Sequence, residues 1–312
     1  MKIALLFPGQ GAQYVGMGKE FFSQYEVARE LFLKANDILG FDLSRLCFEG
    51  PEEELTSTKV CQPAIFVTSL ASLAVLKSVF PEIQIEAVAG LSLGEFTALT
   101  AAKSLKFEDA LKIVSSRGKF MEEACLEKSG TMASILGLEY DQIKEICQSI
   151  VDEDVVTVAN VNSPGQIVIS GTARGIDRAS HACKERGARR VISLQVSGAF
   201  HSPLMESAQA KLQEYLKGFS ISQPQAHFFC NVLGEEISHI QEIRNLLIEQ
   251  VTHSVLWEQS IRSMVKAGFD FFIEVGCGKV LSGLQRKIAP DTKMFNVEDV
   301  ESLEKIKNAI EN

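Results

Sequence analysis

The chain has 312 residues, 46% of them hydrophobic, and a formal net charge of −9. That length supplies one large domain or two unequal ones with a full core, and the acidic balance argues against nucleic acid as the partner, because phosphate binding needs clustered positive charge. The seven cysteines (Cys47, Cys61, Cys125, Cys147, Cys183, Cys230 and Cys277) are odd in number, widely spaced and without a CxxC pair, so no zinc site is signalled and thiols in a reducing cytosol are expected.

The first apolar run, 3–7, is too short for a signal-peptide core and reads as a buried strand. It leads into FPGQGAQ (7–13), a glycine-rich turn. A dinucleotide-binding GxGxxG would need glycine at 14, where Tyr14 stands; a main-chain N–H near Gln10 aimed at an oxyanion is the better use. A helical pattern follows at 20–39. The apolar stretch 63–80 carries Thr68, Ser69, Ser72 and Lys77, so it reads as a buried helix over 63–79 and not as a membrane span. Further strands are expected at 87–90, 131–136, 155–161, 167–170, 191–196 and 271–275. Further helices are expected at 107–125, 141–150, 175–186 and 202–217. Alternation of strands and helices predicts an α/β class with a parallel sheet. From about 130 to 196 the order strand, helix, strand, strand, helix, strand is that of a ferredoxin-like module, a small unit inserted into a larger one. A soluble cytoplasmic protein is expected.

Residues 90–94, GLSLG, place Ser92 between a strand and a helix beginning near Glu95. That is the context of a nucleophile elbow: a serine at a strained apex, flanking glycines that let strand and helix pass, and a helix N-terminus that favours developing negative charge. The pentapeptide alone is common; its position makes it informative. A serine nucleophile needs a base. Of the five histidines, His201 follows the apolar stretch LQVSGAF and precedes Ser202-Pro203, a helix start. Sites gather at the C-terminal ends of strands in open α/β sheets, which would put His201 on the same edge as Ser92. Arg117, on the helix after the elbow, is either a solvated arginine or a cationic fork selecting a substrate carboxylate.

The motifs FPGQGAQ, GPEEEL (50–55), QPA (62–64), GLSLGE (90–95), RGKFM (117–121), NSPGQIVISG (162–171), VSGAFH (196–201) and EVGCGKVLSGL (274–284) run nearly end to end. With them the chain resembles the bacterial malonyl-CoA:acyl carrier protein transacylases of type II fatty acid synthesis. The resemblance implies a hydrolase-like α/β core, 1–127 and 198–312, with an inserted ferredoxin-like subdomain at 128–197. It implies Ser92 as the acylated nucleophile and His201 as its base, oriented by the main-chain carbonyl of Gln250. The main-chain N–H groups of Gln10 and Leu93 would form the oxyanion hole and Arg117 would pair with the malonyl carboxylate. Asn162 would line the site. Phe200 either crowds an α-methyl branch, favouring malonyl over methylmalonyl, or simply packs the core. The implied partners are malonyl-CoA and acyl carrier protein, with no metal or redox cofactor and coenzyme A only as the substrate's carrier. The carrier protein is acidic, so a local basic face is expected at Lys184, Arg186, Arg189 and Arg190 or at Lys279, Arg286 and Lys287.

Three positions depart from the family pattern: Leu91 stands where a histidine usually precedes the nucleophile, His253-Ser254 replaces Asn-Pro, and Cys277 replaces a proline. An esterase or thioesterase with the same elbow, and a non-catalytic acyl-binding protein, are the competing readings.

Overall fold

The computed structural model describes residues 2–150 and 154–311. Its strands are β1 (Ile3–Phe7), β2 (Ala87–Gly90), β3 (Thr131–Leu136), β4 (Val156–Ser163), β5 (Gln166–Gly171), β6 (Arg190–Ser193), β7 (His227–Phe229), β8 (Phe271–Val275) and β9 (Lys293–Val297). They form two sheets, the larger ordered β7-β2-β1-β8-β9 and the smaller β4-β5-β3-β6.

In the larger sheet every neighbouring pair is parallel. Helices cover both faces, so β1, β2 and β8 are buried along their whole length and read in the sequence as unbroken apolar runs. Glu274 of β8 is the exception. Its carboxylate accepts from Leu281 N at 2.9 Å, Ser282 N at 2.7 Å and Ser282 Oγ at 2.7 Å, which anchors the first turn of the helix Val280–Ile288.

The smaller sheet is antiparallel throughout, and the helices Tyr140–Ser149 and Ala173–Glu185 complete the ferredoxin-like order. It buries a cluster of its own around Ile135, Ile143, Ile169 and Ile176. Residues 151–153 of the segment 128–197 lie outside the described residues. A parallel bridge, Val255 N to Ala159 O at 2.8 Å and Val161 N to Val255 O at 2.9 Å, ties this sheet to the rest.

Four expectations need correction. The helix expected at 20–39 is two, Lys19–Gln24 and Glu26–Leu39, broken where Tyr25 turns extended. The helix Thr58–Val79 starts five residues early because the Ser57 carbonyl accepts from Val60 and Cys61 ahead of Pro63. It is long and apolar enough to cross a membrane, but 89% of its most apolar window is buried inside the protein. The strand expected at 191–196 ends at Ser193 and, as the ferredoxin-like order required, belongs to the smaller sheet, so the expectation that His201 follows a strand of the parallel sheet fails. The helix expected at 202–217 is a 3₁₀ turn, Pro203–Met205, followed by the helix Glu206–Leu216.

Candidate active site

β2 ends at Gly90 and the helix Gly94–Ala101 begins four residues later, with Ser92 between them in the left-handed region at φ 54°. Chain and helix pass in main-chain contact there. A Cβ at position 90 would lie 1.9 Å from Gly94 O, and one at position 94 would lie 2.3 Å from Phe7 O, so glycine is required at both. The Ser92 side chain consequently projects into a cavity of about 200 Å³.

His201 reaches Ser92 from a loop. The turn before it is closed by Ser202 Oγ, which donates to Ala199 O at 2.7 Å, and His201 itself is left-handed at φ 58°. Its Nε2 lies 2.9 Å from Ser92 Oγ and its Nδ1 lies 2.7 Å from the Gln250 carbonyl oxygen. A carbonyl only accepts, so Nδ1 carries the proton and Nε2 is the acceptor facing the serine hydroxyl. The carbonyl is available because Gln250 caps the helix Ile240–Glu249, where terminal carbonyls lack intrahelical partners. Burial, reinforced by the nearby positive charge of Arg117, pushes the His201 imidazolium down to about 4, so the ring is neutral at pH 7.

Arg117, on the helix Phe107–Glu127, is 1% exposed. Its Nη2 donates to Ser92 Oγ at 3.0 Å and to Gln250 Oε1 at 2.8 Å, and its Nη1 donates to Gln62 Oε1 at 2.8 Å. Its Nε is buried with no partner. Burial lowers the guanidinium to about 10, which leaves it charged at neutral pH. The Gln250 side-chain amide stands between that cation and the buried Glu95 carboxyl, accepting from Arg117 and donating through Nε2 to Glu95 Oε2 and, at 3.0 Å, to Ser92 O. Burial raises the Glu95 carboxyl above its ordinary range.

Gln10, Leu93, Asn162, Phe200, Met121, Met132 and Leu91 line the cavity alongside Ser92, Arg117 and His201. Among the described hydrogen bonds, the main-chain N–H groups of Gln10 and Leu93 have no protein acceptor. Asn162 Oδ1 is buried without a partner. The eight residues singled out in the sequence therefore converge: seven line one cavity, and Gln250 lies behind it. Sequence reasoning missed Asn231 and the bonding role of Glu95. Asn231 Oδ1 accepts from Ser92 N at 2.6 Å, and Asn231 Nδ2 donates to Gly90 O at 2.8 Å. No motif surrounds Asn231, and Glu95 read only as a helix-start residue. Gln62 was visible as part of QPA, without its bond to Arg117.

The arrangement holds a hydroxyl, a neutral base, a fixed cation and two unpaired N–H groups around one small apolar space, the equipment for acyl transfer. Residues 4–304 match the acyl transferase domain family. The chain is similar to the malonyl CoA-acyl carrier protein transacylase of Bacillus subtilis, at 45% identity over 304 residues, 97% of this chain and 95% of that protein. It superposes on the malonyl CoA-acyl carrier protein transacylase of Clostridium perfringens with a TM-score of 0.95 at 41% identity, covering 100% of this chain and 98% of that one. A malonyl-transacylase solved in complex with a type II PKS acyl-carrier protein gives a TM-score of 0.95 at 36% identity, with both chains covered completely.

Proposed function

The chain belongs to the acyl transferase domain family and, within it, to the malonyl CoA-acyl carrier protein transacylases, and from that premise we propose that it moves malonyl from malonyl-CoA, through an ester on Ser92, to the phosphopantetheine thiol of acyl carrier protein in fatty acid biosynthesis. The observation that carries the reading is the Ser92 Oγ–His201 Nε2 approach of 2.9 Å with His201 Nδ1 committed to the Gln250 carbonyl.

As the Ser92 oxygen attacks the thioester carbonyl, its proton passes to His201 Nε2. The imidazolium that forms is held by the Gln250 carbonyl, which takes the place of a triad aspartate. The Gln10 and Leu93 N–H groups receive the oxyanion, each such donor contributing about 10²–10³ in rate. Collapse breaks the C–S bond, and the departing coenzyme A thiolate takes the proton from His201. The carrier's thiol then gives its proton to His201 and attacks the malonyl ester, and the serine oxygen leaves with that proton. Arg117 pairs with the malonyl carboxylate; its unpartnered Nε supports this, as a buried donor awaiting an acceptor. Asn162 offers its unpaired Oδ1 to a substrate N–H, and Phe200 limits the space beside the acyl α-carbon. The scheme calls for no metal or redox cofactor.

Residues 128–197 are assigned to a small subdomain that supplies part of the cavity wall, through Met132, Asn162 and Val168. A cytoplasmic location fits seven cysteines that are all free and buried.

Initial-rate kinetics test the function. A shared acyl-serine requires parallel double-reciprocal lines for malonyl-CoA and carrier protein. Intersecting lines, or fast turnover to free malonate without a thiol acceptor, would overturn the transfer scheme in favour of direct transfer or hydrolysis.

A further inference from the structure

The main chain of Ser92 is held on both sides by Asn231 and Gln250, which also both donate to one buried carboxyl group. Ser92 N–H donates to Asn231 Oδ1 at 2.6 Å, and Ser92 C=O accepts from Gln250 Nε2 at 3.0 Å. Asn231 main-chain N donates to Glu95 Oε1, and Gln250 Nε2 donates to Glu95 Oε2. The ring Ser92–Asn231–Glu95–Gln250 is thereby closed. Glu95 is 1% exposed and has no direct ion pair among the described salt bridges; Arg117 meets it only through the Gln250 amide. A carboxyl group buried away from water is costly unless its hydrogen bonds are satisfied, and both oxygens here accept from the two residues that grip Ser92.

We infer that Glu95 is a positioning residue for the nucleophile, fixing through Asn231 and Gln250 the strained peptide that aims Ser92 Oγ at His201. The inference rests on the reading of Ser92 as the acylated group. A left-handed non-glycine residue persists only where its surroundings over-determine it, and this ring supplies that constraint. Because Glu95 sits on the first turn of the helix that follows the elbow, both grips are referred to the same rigid element as the serine. Gln250 also carries His201 on its carbonyl and Arg117 on its Oε1, so release of its amide from Glu95 loosens base and cation together. Glu95→Gln sets an amide NH₂ against Gln250 Nε2, donor to donor, or turns the substituted amide so that its NH₂ meets the Asn231 N–H.

The test compares the full-length wild type, Glu95→Gln and Asn231→Ala. Four readings are taken on each: single-turnover malonylation of Ser92 by intact mass, sulfonylation of Ser92 by phenylmethylsulfonyl fluoride, the KM for malonyl-CoA, and the thermal melt. In both variants malonylation should fall about 10²-fold, the scale of a ~1 Å misplacement, and sulfonylation should fall with it, while KM rises by a smaller factor. Sulfonylation reads the hydroxyl without the substrate's binding contacts, which a purely structural role would leave unmoved in the folded protein. A folded Glu95→Gln that melts lower but is malonylated and sulfonylated at wild-type rates would overturn the inference. Should that variant fail to fold, Asn231→Ala decides by the same criteria. Failure of the wild type to form the malonyl-serine would overturn the acyl-transfer reading instead, with the sulfonylation rates still reporting on the ring.

Discussion

The Arg117 guanidinium stands 3.0 Å from the Ser92 hydroxyl oxygen, in a space that exposes 1% of the arginine surface. One buried cation therefore stands against the Ser92 hydroxyl and close enough to His201 to disfavour its imidazolium. Each of these juxtapositions has a measurable consequence.

The imidazole must be neutral to take the serine proton, and its conjugate acid is held down to about 4, first by burial and then by Arg117. Protonation removes the base, so kcat/KM should fall as pH drops through about 4. Arg117→Lys retains the charge and should retain the acid limb. Arg117→Ala removes it, and the limb should move to higher pH. A limb that stays near 4 in the alanine variant would assign the depression to burial alone.

The same substitution tests carboxylate recognition. Loss of a hydrogen bond to a charged partner costs roughly 1.5–3 kcal/mol, so the preference for malonyl-CoA over acetyl-CoA should fall about 10- to 100-fold in Arg117→Ala. Equal losses for the two substrates would make the arginine a scaffold for Gln62 and Gln250, to which it also donates.

Phe200 is 6% exposed and lines the cavity beside His201. Phe200→Ser opens room for one methyl group, which is worth about tenfold or more in discrimination. Competition between methylmalonyl-CoA and malonyl-CoA should show the selectivity ratio moving by that amount. An unchanged ratio would reduce Phe200 to core packing.

Of the two basic patches, one has Lys279 at the N-cap and Arg286 and Lys287 in the last turn of the helix Val280–Ile288, whose Val280 and Leu284 line the cavity. Each patch already spends one cation on an ion pair, Lys279 with Glu298 at 3.1 Å and Arg186 with Glu145 at 2.9 Å. Reversing Arg286 and Lys287 to glutamate should raise the KM for carrier protein about tenfold at low ionic strength, with the difference shrinking as salt is added. A larger effect from reversing Arg189 and Arg190 would move the docking face to the smaller sheet.

What the sequence disclosed follows from how locally each feature is encoded. β1, β2 and β8 were legible to the residue because a strand buried on both faces must be continuously apolar. β7 and β9 were not, since His227 and Lys293 open them with exposed polar residues and only three of the eight positions in the two strands are buried. The elbow is written in five consecutive residues. His201 was found for a reason the fold does not support: its strand belongs to the other sheet, and a loop delivers the ring. Gln250 came from family resemblance, because no local pattern marks a main-chain carbonyl as an acceptor. Asn231 was invisible, since its partners Ser92 and Gly90 lie more than a hundred residues away in the chain and only the pairing of β7 beside β2 brings them together.

Mass spectrometry of the protein mixed with malonyl-CoA in the absence of carrier protein tests the central claim most directly. The account predicts one malonyl group per chain, mapped by proteolysis to Ser92, discharged by a phosphopantetheine thiol, and absent in Ser92→Ala. An unmodified wild-type chain, or an adduct that persists in Ser92→Ala, would contradict it.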